Sequence, residues 1–174
     1  MTVRLDSRVT SEINWGWTDR DSNVQTTSNG ILKQQTAFAS DATPAVDTVW
    51  CAQNATLAAS GARTYDLTAL SREVFGISDT VELAAVCVVH VYNRSEDAIL
   101  QLENTGTGTP ENPEDGSFLH AILPPGSVLT LCNPQASWDV TTVRKQLVLT
   151  NLDSAHSAEY DIAVTGIAAS DSDE

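Results

Sequence analysis

Hydrophobic and polar residues alternate along most of this chain in short runs with the two-residue period of β-strands. No window has a convincing period of 3.6 residues, and Glu and Lys are too sparse to cover exposed helix faces. Turn-forming pairs such as Asn29-Gly30 and Pro125-Gly126 separate the runs. One helical turn is predicted over residues 67–75, with Thr68 or Ser71 as its cap. Strands are predicted over residues 2–6, 12–17, 31–38, 48–57, 63–67, 81–93, 98–103, 117–123, 128–132, 137–142, 146–151 and 159–167.

The predicted strand over residues 81–93 is apolar on both faces for most of its length. Alternation places Cys87 with Val89 on one face and Val86 with Val88 on the other. A strand of this kind is covered on both sides, so we expect it in the middle of a sheet. His90, near the end of the strand, is expected to be a hydrogen-bonded residue rather than a ligand.

Many short strands separated by turns predict an all-β fold, which we interpret as a jelly-roll-like β-sandwich with an extended N-terminal arm. A chain of 174 residues is long enough for one domain with a real core. We assign residues 1–47 to the arm, 48–169 to the sandwich core and 170–174 to an acidic tail. The segment over residues 103–116 is expected to be a long, solvated acidic loop, because its spacing matches neither an EF-hand nor a glycine-rich nonapeptide repeat. The alternative is that its carboxylates bind calcium.

The arm contains the sequence Ile13-Asn14-Trp15-Gly16-Trp17, in which alternation places Ile13, Trp15 and Trp17 on one face. One interpretation is that this face packs on the core of its own chain. The other is that part of the arm reaches a neighbouring subunit, since segments rich in Ser, Thr, Asn and Gln seldom fold alone. The candidate interface residues are Ile13, Trp15, Trp17 and Trp138.

Charge restricts the possible partners. The chain has 23 acidic residues against 9 basic ones and a net charge of −14, which argues against nucleic-acid binding. Lys33 and Lys145 are the only lysines. A surface rich in Asp and poor in Lys is typical of proteins from salt-loving hosts, where molar salt screens the repulsion. The alternative is that the charge provides ordinary surface solubility.

No signal peptide or membrane-spanning segment is visible, because the first residues carry charge and the longest apolar run is short. Cys51, Cys87 and Cys132 are odd in number and lie in apolar segments, so we expect buried, reduced thiols. Paired ligands at metal-binding spacing are missing, and so are a nucleophile elbow and a phosphate-binding glycine loop. We therefore expect no catalytic residue, no cofactor and no metal site.

A collinear series of motifs runs through about two thirds of the chain. It resembles the small β-rich structural proteins in the virions of tailed viruses of bacteria and archaea. Members of that family share a leucine-alanine start, a bend ending in Phe-Gly, a long apolar strand ending in Asn, a Pro-Gly-Gly turn and a closing Tyr-Asp strand. This chain has Pro125-Gly126-Ser127 at the turn, with one glycine in place of two. The corresponding segments here are Leu57-Ala58-Ala59, Tyr65-Asp66-Leu67, Phe75-Gly76, the strand ending at Tyr92-Asn93, Pro124-Pro125-Gly126 and Tyr160-Asp161-Ile162-Ala163-Val164-Thr165-Gly166.

The resemblance implies a capsid decoration or cement protein on the virion exterior, assembled in the host cytoplasm. Its implied partner is the major capsid protein. We also expect the chain to associate with itself as a homotrimer, which would suit a capsid site of local threefold symmetry, and from its charge and hydropathy we expect no nucleic-acid or membrane partner. A tail, neck or fibre component is an alternative of the same class. A carbohydrate-binding jelly-roll module for host attachment is a second alternative, and Trp138 is the obvious aromatic candidate for it.

Overall fold

A computed structural model describes residues 6–21, 24–39, 46–74, 77–105, 119–133 and 135–169. Most of the predicted strand over 2–6, most of the acidic loop and the acidic tail lie outside the described residues. The described residues form strands and connections, without a helix. The strands are β1 Asp6–Asp21, β2 Val24–Ala39, β3 Thr48–Leu57, β4 Ala62–Asp66, β5 Leu70–Val74, β6 Ile77–Val81, β7 Leu83–Asn93, β8 Leu100–Thr105, β9 His120–Leu123, β10 Val128–Cys132, β11 Trp138–Asp139, β12 Gln146–Asn151 and β13 Ala158–Ala168.

Two antiparallel sheets pack face to face as a β-sandwich, so the all-β prediction is confirmed. The first sheet has the order β10-β7-β13-β3, and β11 also pairs with β7. The second has the order β4-β12-β8-β9. Strand β7 pairs on one side with β10 and β11 and on the other with β13, which confirms its predicted central place.

The main core fills the space between the two sheets with inward-facing aliphatic side chains and a few aromatic ones. The rings of Trp50 and Tyr65 lie 4.9 Å apart between their centroids, in a tilted arrangement that aromatic pairs favour. The largest fully buried side chains of this core are Leu67, Leu83, Leu100, Leu102, Leu147, Leu149, Tyr160 and Ile162.

The predicted alternation in β7 is wrong around Cys87, because the strand contains a β-bulge there. On β13, Thr165 pairs with Val88 and the next residue, Gly166, pairs with Val86, so Cys87 is skipped. One extra residue reverses the faces on either side of it. Val86 consequently lies in the main core, whereas Cys87 and Val88 lie in a second, smaller core with Val46.

Two predicted local features are also wrong. Residues 28–30 form no turn but lie inside β2, where Gly30 pairs with Trp15, and the strands reverse after Asp21, which pairs with Val24. The predicted helical turn over 67–75 is instead a tight turn followed by β5. Asp66 determines that turn, since its Oδ1 accepts hydrogen bonds from the amide and hydroxyl of Thr68, at 3.0 and 2.6 Å.

The three cysteines are free thiols, but they are not uniformly buried. Cys87 is buried and Cys132 is half-buried, whereas Cys51 is exposed, which corrects the prediction for that residue. Cys51 lies in β3, where Ala52 on the opposite face packs against the main core. Burial raises the pKa of the Cys87 thiol.

Candidate interaction surface

Strands β1 and β2 form a two-stranded sheet of their own, here called the N-terminal hairpin. Each strand has 16 residues, against 11 in the longest strands of the sandwich. Sixteen residues extend over about 50 Å. The hairpin is therefore longer than any sandwich strand, and an isolated two-stranded hairpin is marginally stable in water.

One face of the N-terminal hairpin is polar. Lys33 Nζ lies 3.0 Å from Glu12 Oε2, and Asn14 Nδ2 donates a hydrogen bond of 2.9 Å to Glu12 Oε1. The contact with Asn14, followed by that with Lys33, lowers the pKa of the Glu12 carboxyl. Ile31 pairs with Asn14 on this face and is 69% exposed. Solvated ionic groups thus dominate this side of the hairpin.

The opposite face carries apolar residues in one continuous phase. Val9, Ile13 and Leu32 belong to it, because Ile13 pairs directly with Leu32 and lies four pairs along from Val9, an even number that keeps both on one face. Ile13 and Leu32 are 57% and 61% exposed. Trp15 and Trp17 hold the next two positions of the same phase, opposite Gly30 and Ser28, and their side chains lie outside the described residues.

The end of the hairpin at which Val9 pairs with Thr36 lies on the outer face of the first sheet. Val9 packs against the small core formed by Val46, Cys87 and Val88. Thr36, the partner of Val9 on β2, lines the same cavity as Cys132, and burial raises the pKa of the Cys132 thiol. The apolar face of the hairpin is therefore covered by its own chain at Val9 and is exposed farther along the strands.

A cleft of about 700 Å³, here called the hairpin cleft, separates the hairpin from β10 and β7. Its hairpin wall comes from the face that carries Val9, and its floor includes His90. The described residues that line it include no Asp, Glu, Lys or Arg. The lining consists of Val9, Thr10, Ser11, Gln34, Thr36, His90, Val128, Thr130, Leu131 and Cys132.

Of the four candidate interface residues, the described structure places Ile13 on the uncovered face of the hairpin. Trp138 lies elsewhere, in β11, where it pairs with Val86 and packs half-buried against the main core. The structure therefore does not bring Trp138 together with the hairpin residues. Its part in an interface stays a prediction.

The histidines lie apart from one another. His90 Nδ1 is 2.8 Å from Thr130 Oγ1 on the outer face of the first sheet. His120 Nδ1 is 2.8 Å from Glu103 Oε1 at the edge of the second sheet, and His156 Nδ1 is 3.2 Å from Asp153 Oδ1 in a loop. Among the described residues, no three His, Cys, Asp or Glu side chains are grouped closely enough to hold a metal ion.

A second hairpin, β5–β6, covers part of the edge of β3 and was not predicted. Arg72 connects the two elements: its Nη1 donates to the Val49 carbonyl at 3.2 Å, and its Nη2 lies 2.8 Å from Asp79 Oδ2. Trp50 Nε1 donates to the Ser71 carbonyl at 2.8 Å. Side chains thus shield this edge from pairing with another strand. The signal in the sequence was weak, because four of the five β6 residues are exposed and lack an apolar alternation.

The motif residues at the ends of strands join loops and sheets rather than forming a reactive site. Asn93 Nδ2 donates to the carbonyls of Ala98, Leu123 and Pro124 at 2.8, 2.9 and 3.1 Å. The turn that it holds places Gly126 at φ +71°, a conformation that favours glycine.

Gly166 and Asp161 serve the closing strand in the same way. A Cβ on Gly166 would overlap the Ala85 carbonyl oxygen, so β13 and β7 require glycine there. Asp161 Oδ1 accepts a hydrogen bond of 2.7 Å from the Asn54 amide at a bulge of β3 and lies 3.6 Å from Arg94 Nη1. These residues determine the shape of the sandwich.

Within the described part of the chain, no helix has the length and apolarity needed to cross a membrane. No protein-family model matches the chain, and no curated protein is significantly similar to it. One solved structure, described as the crystal structure of PirA, is 12% identical and matches over 68% of this chain and 91% of that chain, with a TM-score of 0.29. A likeness this low carries no argument about function.

Proposed function

We propose that this chain is a virion structural protein that decorates the capsid exterior of a tailed virus and binds the major capsid protein. The observation that carries the proposal is the collinear motif series, several of whose described residues join the strands and sheets of the sandwich. Phe75-Gly76 of that series lies outside the described residues. Tyr65 and Tyr160 connect the two sheets, Asn93 holds the turn before β10, and Gly166 permits the closing strand to approach β7. The resemblance thus involves the residues on which this fold depends.

The strand order supports a jelly roll as the finer description of the sandwich. Strands β3, β13, β7 and β10 make up one sheet and β4, β12, β8 and β9 the other. Apart from β5, β6 and β11, the chain alternates between the two sheets. It places β3 in the first sheet, β4 in the second, β7 in the first, β8 and β9 in the second, β10 in the first, β12 in the second and β13 in the first. Two interleaved Greek keys give such an order, which is common in viral capsid domains.

The proposed mechanism is mechanical. A rigid sandwich seated over the junctions between capsid subunits adds buried interface there, and a standard interface of about 1,600 Å² repeated around the shell would resist internal pressure. In this arrangement the outer face of the second sheet, which carries the pair of Glu103 and His120, need not contact the capsid. Neither a cofactor nor a reactive side chain is needed for such a function.

The test is to measure the amount of this protein in purified virions relative to the major capsid protein. A decoration protein will be present in numbers comparable with the capsid protein and will rebind to shells from which it has been stripped. A copy number that fits one small ring would instead support the tail, neck or fibre alternative. Binding to host glycans in place of shells would support the carbohydrate-binding alternative.

A further inference from the structure

We propose that the hairpin cleft binds the N-terminal hairpin of a second copy of this chain. The proposal rests on the proposed function for its biological use, because it supplies the repeating unit of a decoration protein. The self-contact is nevertheless measured on the purified protein without capsids. Either proposal can therefore fail without the other.

The first step is that the hairpin has an apolar face that its own sandwich does not cover. Val9 is in contact with the small core, whereas Ile13 and Leu32, in the same phase, are more than half exposed. Leaving paired isoleucine and leucine side chains in water forgoes about 1.5–3 kcal/mol of burial for each. A hairpin that is marginal by itself gains most from a partner along this face.

The second step is that the cleft offers a matching surface. Val128, on β10, is 58% exposed and lines the cleft together with Thr130 and Leu131. Alternate residues of a strand point to opposite faces, so lining by both Thr130 and Leu131 means that the cleft reaches the edge of β10. Among the described strands, none pairs with that edge. An open edge accepts an added strand through main-chain hydrogen bonds.

The third step is electrostatic and favours a second copy of the same chain as the occupant. Two copies with a net charge of −14 repel each other wherever their acidic surfaces meet. The described residues that line the hairpin cleft include no carboxylate. The apolar face of the hairpin is also uncharged on β1, at Val9, Ser11 and Ile13. Interface cores are depleted in charged residues in general. A second acidic copy can therefore approach the hairpin cleft at little electrostatic cost.

The proposed contact also restricts the kind of assembly. The hairpin of one copy enters the cleft of the next, so each copy gives one hairpin and receives one. Such a contact gives a reciprocal pair or a ring where the rotation between copies closes, and an open filament where it does not. The expected homotrimer is one such ring. The open edge of β10 would then be covered in every subunit.

The experiment compares four single substitutions by sedimentation velocity over a concentration series in molar salt. Ile13→Asp changes the apolar hairpin face and Val128→Asp changes the cleft. Ile31→Asp on the polar hairpin face and Ile122→Asp on the second sheet are matched controls, since both isoleucines are similarly exposed, at 69% and 50%. Circular dichroism verifies that each variant is folded, and Leu32→Asn provides a second, milder change of the hairpin face.

We expect the wild-type chain to associate, and each of Ile13→Asp and Val128→Asp to raise the dissociation constant by about tenfold or more. The two controls should leave it unchanged. A mixture of Ile13→Asp and Val128→Asp proteins should form complexes of two chains, because one intact hairpin can still meet one intact cleft. A monomeric wild-type chain, equal loss with Ile31→Asp, or unaltered association of Val128→Asp would each overturn the proposal.

Discussion

The hydroxyl groups of Tyr65 and Tyr160 are hydrogen-bonded 2.6 Å apart inside the core, one on each sheet of the sandwich. Tyr65 lies on β4 and Tyr160 on β13, and these two side chains raise the pKa of Arg63, which lies two residues before Tyr65. Burying a hydroxyl without a hydrogen-bond partner would cost folding free energy, and here each tyrosine hydroxyl has the other as its partner. The contact fixes the lateral position of one sheet relative to the other at a point where aliphatic packing alone would allow sliding.

Stability should fall in alkali because of this pair. Burial, and then the hydrogen bond to Tyr65, raises the pKa of Tyr160 well above its usual value. In the unfolded chain the phenol ionises near pH 10. A group with a raised folded pKa contributes stability that is present below its unfolded pKa and lost as the pH rises. We therefore expect the free energy of unfolding to decline above about pH 10, measured by urea titration across pH.

Tyr160→Phe should flatten that decline and cost about 1 kcal/mol at neutral pH, the usual net value of one hydrogen bond. Tyr92→Phe is the matched control, because Tyr92 is exposed and should leave both the alkaline decline and the neutral stability unaltered. If both variants lose stability in alkali as steeply as the wild type, other groups control the alkaline transition.

Gly166→Ala should destabilise the sandwich strongly. The new Cβ would overlap the Ala85 carbonyl oxygen, which belongs to backbone that cannot move without breaking the β13–β7 pairing. Overpacking of this kind costs about 1–3 kcal/mol or more. Gly126→Asn is the control, since its site is open and Asn tolerates a positive φ. Equal thermal stability of the two variants would show that β13 can shift to accommodate a side chain.

Asn93→Ala should cost more than its small change in volume suggests. Its buried amide donates to three carbonyls, which belong to the loop after β7 and to the turn after β9. The Pro124 carbonyl also accepts from the amide and the hydroxyl of Ser127, so the cost comes from the donor lost at the Ala98 and Leu123 carbonyls, at about 1–3 kcal/mol or more. Gln53→Ala removes the same amide group from an exposed position of β3 and should be nearly neutral in the same denaturant titration. Equal unfolding midpoints for the two variants would show that the three carbonyls find other donors.

Salt should stabilise the protein if its acidity is an adaptation to brine. The Debye length falls to about 3 Å at 1 M salt, so repulsion among the carboxylates is screened and the melting temperature should rise. The double variant Glu96→Gln/Asp97→Asn removes two exposed, adjacent charges and should show a smaller rise. A melting temperature that does not respond to salt in either protein would favour ordinary solubility as the reason for the charge.

Local patterns predicted the sandwich strands well, because alternation reports directly which face of a strand is buried. The patterns gave the wrong faces where one extra residue, in a β-bulge, shifts the alternation of inward and outward side chains. The bulge at Cys87 exchanges the faces of β7, and nothing in the apolar sequence around Val86 and Val88 distinguishes one phase from the other. The bulge arises from pairing with Gly166, which lies far along the chain.

In the N-terminal hairpin too, the local sequence predicted which residues share a face but not which residues pair. The phase shared by Ile13, Trp15 and Trp17 follows from alternation, and the strand register agrees with it. The length of the hairpin did not follow, because Asn29-Gly30 looks like a turn but is placed within β2 by the pairing of Gly30 with Trp15. The hairpin cleft could not be predicted either, since it depends on how the hairpin lies against β10.

A structural protein should tolerate changes at its histidines and fail at its core. Each His side chain has a polar neighbour: Thr130 for His90, Glu103 for His120 and Asp153 for His156. Replacement by Gln preserves a hydrogen-bonding group at each site. We therefore expect folding and capsid binding to be retained, with a difference in unfolding free energy of about 0.5 kcal/mol or less.

Val86→Asp should behave in the opposite way. Val86 is fully buried between the sheets, so a carboxylate there would lack a partner and would cost several kcal/mol out of a total stability of about 5–15 kcal/mol. Val128→Asp makes the same chemical change at a valine that is 58% exposed and should leave the fold intact. The measurement is the fraction of soluble, cooperatively unfolding protein. A histidine variant that folds normally but loses a hydrolase or glycan-binding activity would contradict a purely structural role, because a reactive or ligand-binding group would then be essential.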